Sequence, residues 1–204
     1  MVSVTAPLAA DDPSESETGV WAPPGRYSIE LEVGGKHYRE SLTVAPDPRI
    51  RLPADAYARQ FALAREIEDA RVQTAAALAE AGRTRSAIAE RGKNAGAAAA
   101  AALAAADRQL LAISDLATEQ PSPDAIGRAP GTIHGLRYLE AAFHNLARAV
   151  DDSDTAPTRD AVQGYARHRA LLDAALASWA RFKTLDLPRL NARLQSDGAA
   201  PIAP

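Results

Sequence analysis

From Pro53 onward the sequence carries a helical period, and that period constrains the fold more than any other feature. Leu63, Ile67, Ala70, Thr74, Ala77, Ala81, Thr84 and Ile88 recur at spacings of four and three. Such a heptad seam lays one face of a helix against a partner helix. It predicts a first helix over residues 54–91, roughly 55 Å long at the α-helical rise. Tyr57, Phe61 and Val72 fall on the opposite side of the same helix. A helix that is apolar on two sides needs two partners. We expect other helices on the seam side and a β-hairpin on the other. A helix of this length should overhang its later neighbours unless it bends.

Three further helices follow. Gly92-Lys93-Asn94 breaks the first. The second is expected over residues 95–117, with Leu103, Ala106, Leu110, Ile113 and Ala117 inward. Residues 119–131 hold Pro121, Pro123, Gly127, Pro130 and Gly131 and read as a loop. Thr132 is a good N-cap for a third helix reaching about Val150, with Leu136, Leu139, Phe143, Leu146 and Val150 in register. A fourth helix is expected over residues 158–183, with Tyr165, Leu172, Leu176, Trp179 and Phe182 inward. Leu187, Leu190 and Leu194 predict a short amphipathic piece after it, and residues 198–204 a frayed tail. Four amphipathic helices joined by short loops imply an antiparallel up-down-up-down bundle over residues 53–197.

Ahead of the helices the period changes to two. Tyr27, Ile29, Leu31 and Val33 alternate with Arg26, Ser28, Glu30 and Glu32, the mark of a strand with one buried face. Gly34-Gly35 suits a tight hairpin turn, and Tyr38, Leu42 and Val44 alternate along the return strand. Pro46 and Pro48 end it. A lone hairpin is marginal in water, so its apolar face requires a cover. Residues 1–24 are acidic and irregular around Asp11-Asp12-Pro13, with room for one short strand in residues 2–5.

The composition excludes several chemistries. The chain has 204 residues and no cysteine, which removes disulfides, thiolate metal sites and thiol nucleophiles. A net charge of −3 gives no footprint for nucleic acid. The alanine-rich run at residues 95–106 is too short to span a bilayer, and the N-terminus lacks the basic start of a signal peptide.

Single residues with chemical potential have simpler explanations. Glu140 and His144 share a helix face, but a metal centre needs at least three converging groups; His134 and His168 complete none. Asp151, Asp152 and Asp154 lack the glycine and distal glutamate of a calcium loop. Arg83, Arg85, Arg91 and Lys93 suit the end of a helix. Gly34-Gly35-Lys36 precedes a strand, not the helix of a phosphate loop. Trp21, Tyr27 and Tyr38 could form an aromatic patch, but the two tyrosines are expected in the hairpin core. Trp21 has no assigned role. No catalytic, cofactor-binding or metal-binding residue is expected.

One stretch has a familiar pattern. Trp21-Ala22-Pro23-Pro24-Gly25-Arg26-Tyr27, the hairpin through Tyr38, Leu42-Thr43-Val44 and Asp47-Pro48-Arg49 lead to Gln60-Phe61. This resembles the C-terminal region of bacterial sortilin-like β-propeller proteins, exported proteins often labelled BNR-repeat or glycosyl hydrolase-like. Asp186-Leu187-Pro188 and Leu190-Asn191 are also similar. The likeness covers residues 21–70 well and the rest loosely. It implies that residues 25–49 are the last strands of an immunoglobulin-like sandwich followed by a helical region. The propeller and its Asp-box repeats are absent, so no family catalytic residue carries over.

The expectations are therefore a mainly α chain with a preceding hairpin and no activity of its own. It would serve as a C-terminal structural or interaction module, its partner being the missing propeller and sandwich or another protein. Such a module is exported with its parent, or cytoplasmic if translated alone. The alternatives are a stand-alone helical interaction domain, using the free end of helix one as a coiled-coil surface, and part of a glycoside hydrolase-like enzyme whose active site lies elsewhere.

Overall fold

A computed structural model describes residues 19–115, 135–152 and 154–203. The strand expected at residues 2–5, the loop at 119–131, Ala117, Thr132 and His134 lie outside the described residues. The described chain is mainly helical, with a two-stranded antiparallel hairpin ahead of the helices. The hairpin is β1 (Gly25–Val33) and β2 (Lys36–Val44). The helices are α1 (Ala54–Gly92), α2 (Ala97–Ser114), α3 (Leu136–Asp151), α4 (Arg159–Arg181) and α5 (Leu187–Ser196).

The seam of α1 is buried throughout, from Leu63 to Ile88. Its polar members need partners once out of water. The Thr74 hydroxyl donates to the Ala70 carbonyl at 2.7 Å, and the Thr84 hydroxyl to Glu80 O at 2.9 Å. Both bonds are local, so threonine fits a helix seam without a second polar group. Because burial extends from Ala56 to Ile88, α1 does not overhang its neighbours.

The contacts along α1 explain this coverage. Near its start, the Gln60 side-chain amide donates to the Val150 carbonyl at the end of α3 (2.7 Å). That satisfies one of the carbonyls that a helix C-terminus leaves unpaired. Further along, the Arg85 guanidinium meets Asp107 of α2 at 2.7 Å. The two partner helices touch at their ends. Asp115 stops α2 in the left-handed region (φ 57°), and Gly135 at the start of α3 lies against it. A Cβ on Gly135 would sit 2.6 Å from the Asp115 Cβ, so only glycine permits this approach.

The fourth helix does not stop where expected. A π-helical turn, Phe182–Asp186, carries α4 into α5 without a loop. Pro188 has no N–H to donate and its ring opposes the carbonyl four residues back. Widening the turn accommodates it: the Leu187 N–H reaches the Phe182 carbonyl, five residues back. Inward Leu187, Leu190 and Leu194 keep α5 on the core.

The C-terminal tail is ordered rather than frayed. Gly198 (φ 74°) reverses the chain, and the Ala199 N–H returns to Leu194 O at 2.8 Å. This helix-ending turn needs the left-handed conformation that glycine adopts freely. Asn191 then brackets Ile202, donating to its carbonyl and accepting from its N–H, both at 2.8 Å. Ile202 is buried in the core, and the Arg91 side chain holds Ala200 O at 3.0 Å. An isoleucine six residues past a helix was the missed signal.

Candidate functional site

Gly34 and Gly35 both have positive φ (57° and 74°), the geometry of a two-residue hairpin turn. The turn sets the register: Leu31 faces Tyr38, Ile29 faces Glu40 and Tyr27 faces Leu42. These residues therefore share one face of the sheet. The other face carries Glu30, whose carboxylate meets Arg39 at 2.9 Å and His37 at 3.2 Å. The hydrogen bond and charge of Arg39 hold the Glu30 carboxyl below its ordinary range.

The apolar face is open to solvent. Ile29, Leu31, Val33 and Tyr38 are each more than half exposed, and Leu42 is 44% exposed. This corrects the expectation that the hairpin covers the second side of α1 and that Tyr38 is a core residue. Tyr27 is half-buried, but its hydroxyl donates locally to the Pro23 carbonyl. The reason lies in α1. Of its three residues on that side, Val72 is 60% exposed, and only Tyr57 and Phe61 find neighbours. Those two meet the segments at the base of the hairpin, not its face.

That meeting forms a cleft of about 470 Å³. Trp21, Pro24, Pro46 and Ile50 line it from the hairpin side, with Tyr57 and Phe61 from α1. The end of α3 and the turn after it add Asp151, Asp152 and Asp154. Burial pushes the Asp151 carboxyl up, and the charges of Asp152 and Glu68 push the same way. A hydrogen bond from the Trp21 backbone opposes them. Asp47 is held below its usual range by the Arg49 side chain, 2.6 Å away. The Tyr57 hydroxyl oxygen is buried and has no hydrogen-bond partner among the described residues, and desolvation followed by the charges of Asp154 and Asp47 raises its pKa. Trp21, unexplained in the sequence, stands 73% exposed at the lip of this cleft.

The other singled-out residues separate. Glu140 and His144 are exposed, and among the described residues no three His, Cys, Asp or Glu are placed to hold a metal ion. His168 packs its ring against Tyr138 and Phe143, with centroids 6.0 and 6.1 Å apart. Of the basic cluster, Arg85 binds Asp107, Lys93 binds Glu90 at 2.5 Å, and Arg91 holds the tail. Sequence reasoning missed one polar junction. Glu80 of α1 accepts from the Trp179 indole at 2.9 Å and from the Lys183 ammonium at 2.7 Å.

No protein-family model, curated protein or solved structure matches the chain.

Proposed function

We propose that the chain is a non-catalytic structural and interaction module, the C-terminal part of a larger exported protein of the sortilin-like propeller kind, and that it docks through its hairpin. One observation carries this reading. The helical part buries its own core, whereas the hairpin presents Ile29, Leu31, Val33, Tyr38 and Leu42 to solvent beside it. A contiguous exposed apolar patch of this kind marks an interaction surface. A two-stranded sheet is also too small to be stable by itself, so a partner sheet would contribute to its folding. The seam of α1 is buried as far as Ile88, which weighs against a coiled-coil surface at the end of that helix.

We further infer that the helices form three rods rather than four alternating ones. Gln60 meets Val150 and Arg85 meets Asp107, so rising numbers on α1 meet falling numbers on α3 and α2. With Gly135 against Asp115, α2 and α3 make one interrupted rod. Gln73 to Arg169, Glu80 to Lys183 and Arg91 to Ala200 run in the same order, which makes α4 with α5 the third rod, parallel to α1.

The deciding experiment is an immunoblot of cytoplasmic and exported fractions of the source cells, with antibodies to the C-terminal helices. A much larger exported band is the expected result. A cytoplasmic band at 21.5 kDa would overturn the proposal.

A further inference from the structure

We propose that the cleft at the base of the hairpin is a binding site for an arginine side chain presented by a partner protein chain. The cleft is built from other residues than the open sheet face, so it stands whether or not that face docks.

Three features of the cleft select this ligand. The first is charge. Asp47 has Arg49, and Asp152 lies 3.8 Å from Arg148. Asp151 and Asp154 also line the cleft, and among the described residues neither has a lysine or arginine within 4.0 Å. The cleft therefore carries negative charge that the described residues do not neutralise, and Asp151 is partly withdrawn from water as well. A cation entering here gains attraction in a site with reduced screening.

The second feature is the wall. Trp21 offers an open indole, and Tyr57, Phe61, Pro24 and Pro46 also line the cleft. Aromatic faces attract cations through their negative π-face. A hydrated metal ion gains nothing from such walls, and no metal-holding group exists among the described residues. The third feature is Tyr57, which lines the cleft and whose hydroxyl is buried with no hydrogen-bond partner among the described residues. A buried hydroxyl without a partner is costly, and a donor from a ligand would relieve it.

Guanidinium meets all three demands better than ammonium. It is planar, so it can stack on the Trp21 indole while its edge faces the carboxylates. It has five N–H donors, enough for Asp151, Asp154 and the Tyr57 oxygen together. It is also less strongly hydrated than ammonium, which suits a cleft with apolar walls.

The test uses the full chain and two probes, Nα-acetyl-arginine amide and its neutral isostere Nα-acetyl-citrulline amide. Binding is followed by heteronuclear NMR, reading the backbone amides of Tyr57 and Phe61 in every variant and, where Trp21 is present, its indole, assigned with Trp21→Phe. We expect saturable shifts at the cleft with the arginine probe, at a Kd of about 1 mM. Citrulline should bind at least about tenfold more weakly, since it lacks the charge-assisted bonds. Asp154→Asn and Trp21→Ala should each lower the arginine affinity several-fold. Both residues are exposed, so neither change threatens folding. Equal binding of both probes would overturn the proposal. So would unsaturable shifts, or arginine binding that both variants leave unchanged.

Discussion

Replacing Glu80 by alanine tests the junction between α1 and the end of α4 most directly. One carboxylate oxygen accepts from both the Trp179 indole and the Lys183 ammonium. Trp179 is only 2% exposed and stacks on Phe182 at a centroid distance of 5.6 Å. Losing the acceptor therefore orphans a buried donor, at a cost of about 1–3 kcal/mol. The Lys183 pair adds little, because both side chains are about one-third exposed (31% and 37%) and solvent screens them; such pairs contribute under about 1 kcal/mol. We expect Glu80→Ala to destabilise by roughly 1.5–3 kcal/mol, and Glu80→Gln, which keeps an acceptor for the indole, by about 0.5–1 kcal/mol. The assay is urea unfolding followed by tryptophan fluorescence and circular dichroism. The pH dependence has a definite sign. Hydrogen bonds from Lys183 and then Trp179 lower the Glu80 pKa from 4.5 in the folded chain. Its ionic contribution is therefore complete above the unfolded value and is lost as pH falls through the lower, folded value. The gap between wild type and Glu80→Gln should thus be full at neutral pH and close under acid conditions. A Glu80→Ala variant as stable as wild type, or a gap that widens with acid, would refute the reasoning.

Two other outcomes follow from burial. Ile202→Ala removes a side chain that is 3% exposed and should cost about 2–4 kcal/mol, lowering Tm by roughly 5–15 °C in a thermal scan. Leu31→Thr on the open hairpin face should leave stability within about 0.5 kcal/mol by the same scan, while reducing self-association in light scattering.

Periodicity made the helices legible because burial on one face repeats at a fixed interval. Every residue of the α1 seam from Leu63 to Ile88 is buried, as are Leu139 and Phe143 on α3 and Leu172 and Trp179 on α4. The hairpin and its turn were legible from alternation and from Gly34-Gly35. What stayed hidden depends on pairs distant in sequence. Pro188 looked like an interruption, because nothing local indicates that a π turn would absorb it. Ile202 looked like a tail residue, because its anchor is Asn191 and its direction is set by Gly198. The cleft joins Trp21, Tyr57 and Asp151, which no single window of sequence contains. The hairpin was misplaced for a further reason: alternation shows that a face must be covered, not what covers it.

The molecule therefore has a closed half and an open half, and the contrast has a physical origin. In the helical half the vulnerable ends are tied. Gln60 caps α3, Thr158 accepts from the Ala161 N–H to cap α4, and the tail returns onto α1. Among the described residues the hairpin strands have no such tie to the helices: they pair with each other, and their ion pairs lie on the polar face. Ile29, Leu31 and Val33 are each about half exposed, so covering the rest of each would be worth roughly 0.8–1.5 kcal/mol. That gain would add to a hairpin that is only marginally stable by itself. A partner that covers this face would thus order the hairpin and bind it in one step.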